Sequence, residues 1–351
     1  MDKLPLGRPG AHSGPPVPPF CLGTMTWGNQ TPAPEAHRQI DMALEHGLDF
    51  LDTAEMYPVN PVRAETLGLS ESVIGEWIAA RGGRGRLVLA SKVTGIGSAV
   101  IEGGAPPVGA ARLRAAVEAS LTRLRCDHID LYQLHWPDRG SYHFRKHWTY
   151  APPGDAAAMR AQVQAVLAEA AALIAEGKIG QFGLSNESAW GLSQWLRASD
   201  EQGLPRIASI QNEYSLLCRV FDTDLAEACV MEGVPLLAFS PLAAGLLTGK
   251  YAGDVTPEAS RRSINPDLSG RITPRVFDAV AAYLGLAREH GLDPVVMALA
   301  WHRTRPFRAI PILGATTAAQ LARQLPALQA RLSPEVVAGI DRLHRSHPLP
   351  F

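Results

Sequence analysis

The sequence has few cysteines and almost no net charge. The four cysteines, Cys21, Cys126, Cys218 and Cys229, form no CxxC pair. We therefore expect neither a disulfide framework nor a zinc knuckle, but reduced thiols in a cytoplasmic protein. The 33 basic and 34 acidic residues give a formal charge of -1. This balance argues against nucleic acid or an anionic membrane surface as the main partner.

Long apolar runs and a secretory signal are also missing. No apolar stretch reaches the roughly 18 residues needed to span a bilayer, and the amino terminus lacks the apolar core of a signal peptide. A membrane is therefore not expected as a partner. The first 19 residues, MDKLPLGRPGAHSGPPVPP, are rich in proline. We expect this arm to lie over the surface without regular structure.

Short apolar runs recur along the chain, and each ends in a polar or small residue. Continuous apolar runs of this length are typical of parallel strands covered by helices, where no face meets water. The runs lie at 20–24, 49–53, 87–92, 129–135, 178–185, 207–212, 234–240 and 309–314.

Amphipathic patterns between these runs predict helices. One stripe is Leu113, Val117, Leu121 and Leu124, and another extends from Val163 to Ile174 and ends before Gly177, a typical C-terminal cap. Strand and helix alternate about eight times, and eight right-handed units close naturally into a barrel. A doubly wound sheet of six strands would leave two units unplaced.

The fold class predicted is thus α/β, a single-domain (β/α)8 barrel with its active site at the carboxyl ends of the strands. Residues 1–19 form the arm, 20–335 the barrel, and 336–351 a C-terminal helix and tail. Long connections at about 93–110, 136–160 and 249–275 are expected on the carboxyl face, because each follows a strand. The last carries a cationic cluster of Lys250, Arg261, Arg262, Arg271 and Arg275.

Four polar residues are predicted to meet at that face. Asp52, Lys92 and His135 end predicted strands, and Tyr57 follows Asp52 by five residues. Each alone has an ordinary explanation as a packed or solvated side chain. Together they suit proton donation to a carbonyl oxygen while hydride reaches the carbon. A lysine cation is expected to lower the pKa of the tyrosine, an aspartate to orient the lysine, and a histidine to hydrogen-bond the reacting oxygen.

Seven ordered motifs carry a resemblance to the aldo-keto reductase superfamily, and within it to the bacterial Tas-like proteins and the potassium-channel β-subunit group. The motifs are DTAEMY (52–57), LASK (89–92), LHWP (134–137), GLSN (183–186), QNEYSLL (211–217), PLAAGLLTGKY (241–251) and LGATT (313–317). The resemblance extends from about Cys21 to Leu328. It implies a barrel that binds NADP(H), and a catalytic tetrad of Asp52, Tyr57, Lys92 and His135 with Tyr57 as general acid.

The resemblance also implies cofactor contacts in five segments. Gly23, Thr24 and Met25 would lie beneath the nicotinamide, Ser185, Asn186 and Gln211 would bind its carboxamide, and Tyr214 would stack on its ring. Ser240, Pro241, Leu242, Gly245, Leu246 and Lys250 match the pyrophosphate loop, and Gly314, Thr316, Gln320 and Gln324 match the adenosine-phosphate segment. Trp27 and Trp136 are expected to wall the substrate pocket.

Charge and helix geometry add two expectations about the cofactor. Lys250 and Arg261 provide cations for a 2′-phosphate, which favours NADPH over NADH. The helix that begins near Thr316 could offer backbone N–H groups to a phosphate. Arg262 could equally be an exposed loop residue.

The chain departs from the family at two places. Relatives usually begin with a β-hairpin across the barrel floor, which this proline-rich start does not resemble, so we expect the floor to be covered differently. Gln324 stands where relatives often have asparagine, which leaves the adenine contact open.

The prediction is a carbonyl reductase that takes a small-molecule substrate. The alternatives are an NADP(H)-binding redox sensor or regulatory protein with slow turnover, and a metal-dependent barrel hydrolase. No metal site is expected, because His143 and His147 lack the glutamate of HExxH and lie in a loop.

Overall fold

Eight parallel strands close into a barrel in the computed structural model, which describes residues 2–8, 14–98, 101 and 104–351. β3 to β10 follow each other around the barrel in chain order, and β10 pairs with β3 to close it. Each lies within or overlaps one of the eight predicted runs, so the predicted barrel is confirmed. The strands are β1 (Leu4–Pro5), β2 (Pro16–Val17), β3 (Cys21–Gly23), β4 (Phe50–Asp52), β5 (Val88–Val93), β6 (Ile129–Leu134), β7 (Ile179–Ser185), β8 (Ile210–Glu213), β9 (Leu236–Phe239) and β10 (Ala309–Leu313).

Helices cover the outside of the barrel. The α-helices are α1 (Ala33–Glu45), α2 (Leu69–Arg81), α3 (Ala110–Leu124), α4 (Ala156–Ala175), α5 (Ala189–Gln202), α6 (Asp224–Glu232), α7 (Arg261–Ile264), α8 (Val276–Glu289), α9 (Pro294–Ala300), α10 (Ala318–Gln324) and α11 (Pro334–Ser346). Short 3-10 helices occupy Ala64–Thr66, Arg84–Arg86, Val220–Asp222, Ala243–Thr248, Ala252–Asp254, Trp301–Thr304 and Leu325–Leu328.

Alternation along the strands sorts the lumen into an apolar lower part and a polar upper part. Successive strand residues point to opposite faces, so residues two apart share a face. Phe50 is followed on its face by Asp52, and Val88 and Ala90 are followed by Lys92. The lower members belong to one buried apolar cluster. The polar members therefore meet at the carboxyl end of the lumen.

The predicted stripes face the barrel. In α3, Leu113, Val117 and Leu124 are fully buried and Leu121 is half-buried. α4 begins where the Asp155 carboxylate accepts a hydrogen bond from the Ala158 N–H. The helix ends just before Gly177, whose φ of 75° suits glycine because it has no Cβ.

α4 corrects one expectation from the sequence. Among the described residues it is the one helix long and apolar enough to cross a membrane by length and composition. It contains both Arg160 and Glu169, and its buried side chains, among them Val163 and Leu167, belong to the main core. It is therefore a helix of the barrel, although its alanine-rich composition resembles that of a membrane span.

The proline-rich arm is not free of regular structure, as the sequence suggested. β1 and β2 pair antiparallel, with Leu4 opposite Val17, and residues 9–13 between them lie outside the described part. Leu6 and Val17 are fully buried in the lumen cluster. The arm thus forms the hairpin across the barrel floor that the sequence did not indicate. Proline is tolerated in such edge strands, where a missing N–H costs no ladder bond.

The segment after α11 returns to the carboxyl face of the barrel. The Ser333 hydroxyl caps α11 by accepting from the Val336 N–H. Further on, the Pro350 carbonyl accepts from the Thr273 hydroxyl and the Leu349 carbonyl accepts from Arg275. The buried Phe351 ring lies 5.8 Å from the Arg271 guanidinium. This segment therefore packs against the long connection that follows β9.

Candidate active site

The four predicted catalytic residues lie together at the carboxyl end of the barrel. Asp52 ends β4, Lys92 is in β5 and His135 directly follows β6. The Lys92 ammonium donates to Asp52 Oδ2 at 2.7 Å and to the Thr53 carbonyl at 2.6 Å. Lys92 is completely buried, so this ion pair is shielded from water.

Tyr57 and His135 complete the group on its outer side. The Lys92 Nζ lies 4.9 Å from the centroid of the Tyr57 ring. The Tyr57 and His135 ring centroids are 5.7 Å apart, with the rings nearly perpendicular. Tyr57 is partly exposed, so its ring is reachable from the rim.

The electrostatics of this group differ from the expectation in one respect. Burial raises the pKa of Tyr57, and the Lys92 cation lowers it by less, so the net direction is upward. The sequence predicted a lowered value, because burial is not visible in a motif. Burial tends to lower the pKa of Lys92, but the charge and hydrogen bond of the Asp52 carboxylate, together with smaller effects of nearby groups, outweigh burial and the net pKa is raised. Lys92 is therefore a cation and Tyr57 a protonated phenol at neutral pH.

His135 is a neutral imidazole. Burial, with a smaller effect of the Lys92 cation, holds the pKa of His135 well below its usual value. Its Nδ1 atom is buried and has no hydrogen-bond partner among the described residues. The ring also lies 5.0 Å from the Trp136 ring. A neutral imidazole can donate one hydrogen bond to a ligand oxygen without adding charge.

Two glutamines hold the second oxygen of Asp52. Gln211 Nε2 donates to Asp52 Oδ1 at 2.8 Å, and Gln133 Nε2 donates to the same atom at 3.3 Å. Gln211 is on β8, four strands away from Asp52, so its hydrogen bond crosses the lumen. Gln211 was predicted as a carboxamide ligand, and in this structure it positions Asp52. The sequence analysis missed Gln133, although a glutamine in the apolar run 129–135 was a visible signal.

Ser185 and Asn186 form a polar ledge beside His135. The Asn186 amide donates to the His135 carbonyl at 2.9 Å and to Ser185 Oγ at 3.1 Å. The Asn186 Oδ1 atom is buried without a partner among the described residues. A buried acceptor without a donor is costly, so this atom fits the amide N–H of a bound carboxamide.

Tyr214 does not lie where a stacking residue is needed. Its ring is fully buried and stacks on Trp301, with centroids 5.0 Å apart and planes 20° apart. Phe221 and Phe307 cover its edges, and its hydroxyl donates to Asp222. The stacking role predicted for Tyr214 is therefore wrong, because its ring and its hydroxyl already contact other residues of the protein.

Phe239 is the aromatic residue at the open end of the lumen. It ends β9 and is partly exposed, and its ring packs against the apolar lumen cluster. In the parallel register it lies opposite Glu213. The sequence analysis missed it, although it is the one aromatic residue of the apolar run 234–240.

The turn after β3 is packed tightly under the rim. A Cβ on Gly23 would lie 2.7 Å from the Ile312 side chain, and the Thr24 hydroxyl donates to the Asp52 carbonyl at 3.0 Å. Met25, the third predicted residue here, is partly exposed. Trp27 is completely buried in the main core, so its predicted place in the wall of a substrate pocket is wrong.

Trp136 lies on the rim, and its place in the wall of a substrate pocket stays a prediction. It is partly exposed, and its indole N–H donates to the Ile96 carbonyl at 3.1 Å. The exposed Phe144 ring meets it edge-on, with centroids 6.2 Å apart. These two rings extend the site outward from His135 as an apolar surface.

The connection after β9 has the backbone of an anion-binding loop. Ser240, Ala243, Ala244 and Gly245 have positive φ, a conformation in which successive N–H groups can converge on an anion. Gly245 has a φ of 98°, which favours glycine, and the Lys250 side chain lies close to it, since a Cβ there would be 2.8 Å from Lys250 Cε. Lys250 is exposed; Leu242 is partly exposed, and Pro241 and Leu246 are buried.

Arg261 is an unpaired cation near Tyr57. Among the described residues it forms no ion pair, and its Nε atom is buried without a partner. Burial and the nearby Arg271 lower its pKa to about 10, so it remains charged at neutral pH. Its positive charge acts on Tyr57. These features fit a guanidinium that awaits an anionic ligand.

Arg262 is buried and structural, so the exposed position considered for it is wrong. Its guanidinium pairs with Asp254, donates to the Val255 and Pro266 carbonyls, and lies 5.5 Å from the Phe277 ring.

In the segment after β10, Gln324 has an acceptor available for a ligand, whereas Gln320 does not. Gln324 is buried; its amide donates to the Gly314 carbonyl at 2.8 Å, and its Oε1 atom has no partner among the described residues. Gln320 Oε1 already accepts from both the backbone and the hydroxyl of Thr316.

The helix α10 is closed to a phosphate at its N-terminus. The Ala318 N–H donates to the Glu35 carboxylate, and the Gln320 N–H donates to Thr317 Oγ1. Protein side chains thus take two of the N–H donors that the sequence assigned to a phosphate.

Comparisons with known proteins show which family the chain is similar to. A family model described as the aldo/keto reductase family matches residues 19–345. Protein tas of Escherichia coli (strain K12) is 42% identical over 344 residues, covering 97% of each chain. An uncharacterized oxidoreductase, YrpG, of Bacillus subtilis (strain 168) is 32% identical over 97% of this chain and 95% of its own. The norsolorinic acid reductase stcV of Emericella nidulans is 28% identical over 93% of this chain and 78% of its own.

Proposed function

The chain belongs to the aldo/keto reductase family, and we propose that it reduces an aldehyde or ketone to an alcohol with NADPH. Family membership and the oxidoreductases among its relatives support carbonyl reduction in general. The observation that carries the finer proposal is the contact of Tyr57 with the buried Lys92–Asp52 pair at the rim.

Tyr57 is the proposed general acid. Its phenol is protonated at neutral pH, so it can donate a hydrogen bond to the carbonyl oxygen and then the proton itself. The neutral imidazole of His135 donates a second hydrogen bond to the same oxygen and so fixes its position. Lys92, held by Asp52, stabilises the phenolate that remains. NADPH, when bound, supplies the hydride that reaches the carbonyl carbon.

Residues of three segments would hold the cofactor. Asn186 Oδ1 would accept from the carboxamide, and the partly exposed Phe239 ring would offer a flat face to the nicotinamide. Lys250 and the unpaired Arg261 would bind phosphate oxygens. Gln324 Oε1 is a free acceptor for an adenine amino group. The preference for NADPH over NADH rests on the two cations.

The rim supports a substrate with an apolar or aromatic body. Trp136 and Phe144 present apolar surface next to His135, and burying it against a ligand would stabilise the complex. One relative in the same family is named norsolorinic acid reductase. A cytoplasmic location and the absence of a nucleic acid or membrane partner stay predictions.

The test replaces the proposed acid. Tyr57→Phe should lower the rate of NADPH consumption with 4-nitrobenzaldehyde by about 10²- to 10⁴-fold, the usual contribution of a general acid. NADPH binding, followed by the change in cofactor fluorescence, should be unchanged. Tyr150→Phe is the matched control, since Tyr150 lies on a neighbouring loop and its hydroxyl donates a long hydrogen bond to the Gly140 carbonyl.

Full activity in Tyr57→Phe would contradict the mechanism. Tight NADPH binding without turnover of a broad carbonyl panel by the unmodified protein would contradict the enzyme and favour a redox sensor. Repeating the assay with NADH measures the proposed cofactor preference.

A further inference from the structure

A second pocket lies at the opposite end of the barrel from the tetrad. It has a volume of about 330 Å³ and is formed where β10 begins and the amino-terminal hairpin crosses the floor. Three arginines that follow α9, Arg303, Arg305 and Arg308, line one side. The proposed reduction uses none of these residues.

Two of the three guanidinium groups have no acidic partner in the described part of the chain. Among the described residues, neither Arg303 nor Arg308 forms an ion pair. Arg303 donates to the Leu328 carbonyl at 2.9 Å, and Arg308 donates to the Leu4 and Pro5 carbonyls. Each group has five N–H donors, so several remain for a ligand.

Arg305 is held in place by aromatic rings. Its guanidinium lies 5.1 Å from the Trp301 ring and 5.9 Å from the Phe307 ring. Its Nε atom is buried and has no partner within the described part of the chain. Arg305 forms one long ion pair, with Asp222 at 3.4 Å, and that carboxylate also binds Arg219 at 2.5 Å and accepts from the Tyr214 hydroxyl.

The local charge is therefore positive. Asp2 lies at the pocket edge and is exposed, and its charge acts on Arg303 together with the cation of Arg331. Burial, with no carboxylate acting against it, lowers the pKa of Arg308 to about 10. An anion bound here would compensate a desolvated cation, which is a favourable exchange.

The other side of the pocket is apolar. Its walls are the side chains of Leu4, Val17, Pro19, Phe307 and Ile310. A pocket of this size with apolar walls and a few convergent polar groups is typical of a small-molecule site. The two sides together select a ligand with an anionic head and a compact apolar body.

We propose that this floor pocket binds a small organic anion, with its carboxylate or phosphate group on Arg303, Arg305 and Arg308 and its apolar body against the hairpin. Arg308 also donates to two carbonyls of β1. A ligand bound to Arg308 would therefore connect the hairpin to the barrel. The site is separate from the reductase site, and the full length of the lumen lies between them.

The test measures binding of phenyl phosphate and of benzoate to the NADP⁺-saturated protein by isothermal titration calorimetry. Saturable binding is expected for at least one of them, and comparing the two distinguishes phosphate from carboxylate as the head group. Phenol, which has the same body without the charge, should bind at least tenfold more weakly, since a charged hydrogen bond is worth about tenfold or more.

Variants locate the binding. Arg303→Gln should weaken it about tenfold or more and leave carbonyl reduction unchanged, because Arg303 lies far from the tetrad. Arg303→Lys keeps the charge and should show a smaller loss. Arg160→Gln, an exposed arginine of α4, and Arg261→Gln, at the reductase site, should not change the affinity.

Hydrogen exchange gives a local measure that does not depend on heat signals. On ligand binding, the amides of Gly14 and Val17 and of residues 301–305 and 307–310 should exchange more slowly in the unmodified protein and not in Arg303→Gln. Absence of saturable binding would overturn the proposal. So would an affinity that falls in Arg261→Gln but not in Arg303→Gln, since the ligand would then lie at the rim.

Discussion

At the scale of single residues, the site depends on one buried carboxylate. Asp52 is 2% exposed, and both of its oxygens are occupied, Oδ2 by Lys92 and Oδ1 by Gln211 and Gln133. Removing one member of a buried ion pair strongly destabilises the folded protein, because the remaining charge is left buried without a counter-charge. Asp52 therefore positions Lys92 and also keeps the lysine charged.

Asp52→Asn should destabilise the protein by about 3 kcal/mol and lower kcat, because Lys92 would remain buried without an anion. Urea unfolding measures the first effect and a carbonyl assay the second. The comparison is Glu201→Gln, which removes the exposed pair with Arg197 and should cost no more than about 1 kcal/mol. Equal losses in the two variants would show that the buried pair has no special role.

The pH dependence of reduction follows from two opposite pKa shifts. Tyr57 has a raised pKa and is protonated up to alkaline pH, and His135 has a strongly lowered pKa and is neutral down to acidic pH. At saturating NADPH, kcat/KM for the carbonyl should therefore be constant from about pH 6 to pH 9. A decline that begins near pH 8 would mean that Lys92 outweighs burial, as the sequence alone suggested.

At the scale of elements, two arginines from different connections share one buried glutamate. Glu213 ends β8 and accepts from Arg145 at 2.8 Å and from Arg271 at 2.6 Å. Arg145 belongs to the connection after β6, and Arg271 to the one after β9. This pair of contacts links the two long connections across the rim, next to Trp136 and Phe144.

Arg145→Gln should loosen the connection after β6, because the tie to Glu213 is lost while Arg271 still neutralises that carboxylate. We expect faster amide hydrogen exchange in residues 141–148 and a higher KM for the carbonyl. Lys146→Gln is the matched control, since Lys146 is the exposed neighbour and forms no ion pair among the described residues. Equal exchange rates in both variants would show that the Arg145–Glu213 ion pair does not hold the connection in place.

The elements also show where sequence reasoning ends. The eight strands and the tetrad were predictable, because apolar runs and strand-end polar residues depend on local order along the chain. The roles of Tyr214 and Phe239 were not, since nothing in QNEYSLL shows that Trp301 covers the Tyr214 ring. The hairpin was missed because its two-residue strands are too short to produce a pattern. The occupied N-terminus of α10 was missed because its partner, Glu35, lies 283 residues from Ala318 in the sequence.

At the scale of the whole molecule, buried histidines make stability depend on pH. The His143 Nε2–H donates to the Glu187 carbonyl, and His302 lies between the Tyr214 and Ala298 carbonyls. Burial lowers the pKa of each to about 4, against about 6.5 in an unfolded chain. Above pH 6.5 neither state binds a proton at these sites, so they add no pH dependence there.

As the pH falls from 6.5 towards 4, the unfolded chain takes up protons that the folded protein does not, and the free energy of unfolding falls. Each histidine should contribute roughly 1.4 kcal/mol per pH unit over most of that range. Thermal unfolding between pH 7 and pH 4.5 measures this. His302→Gln should show a weaker dependence and His46→Gln, at an exposed position, the same dependence as the unmodified protein. Identical slopes in all three would contradict the argument.

The short strand β3 has a consequence for aggregation. β3 pairs through only two residues with β4 and two with β10, whereas β6 and β7 pair through five. β7 and β8 also pair through two residues, but β3 is paired this briefly on both of its sides, so release of β3 from the barrel breaks the fewest ladder pairs. The opened barrel would present free strand edges, which are templates for pairing with another chain. Heat-induced association of this protein is therefore expected to begin at β3, well before the well-paired strands on the far side come apart.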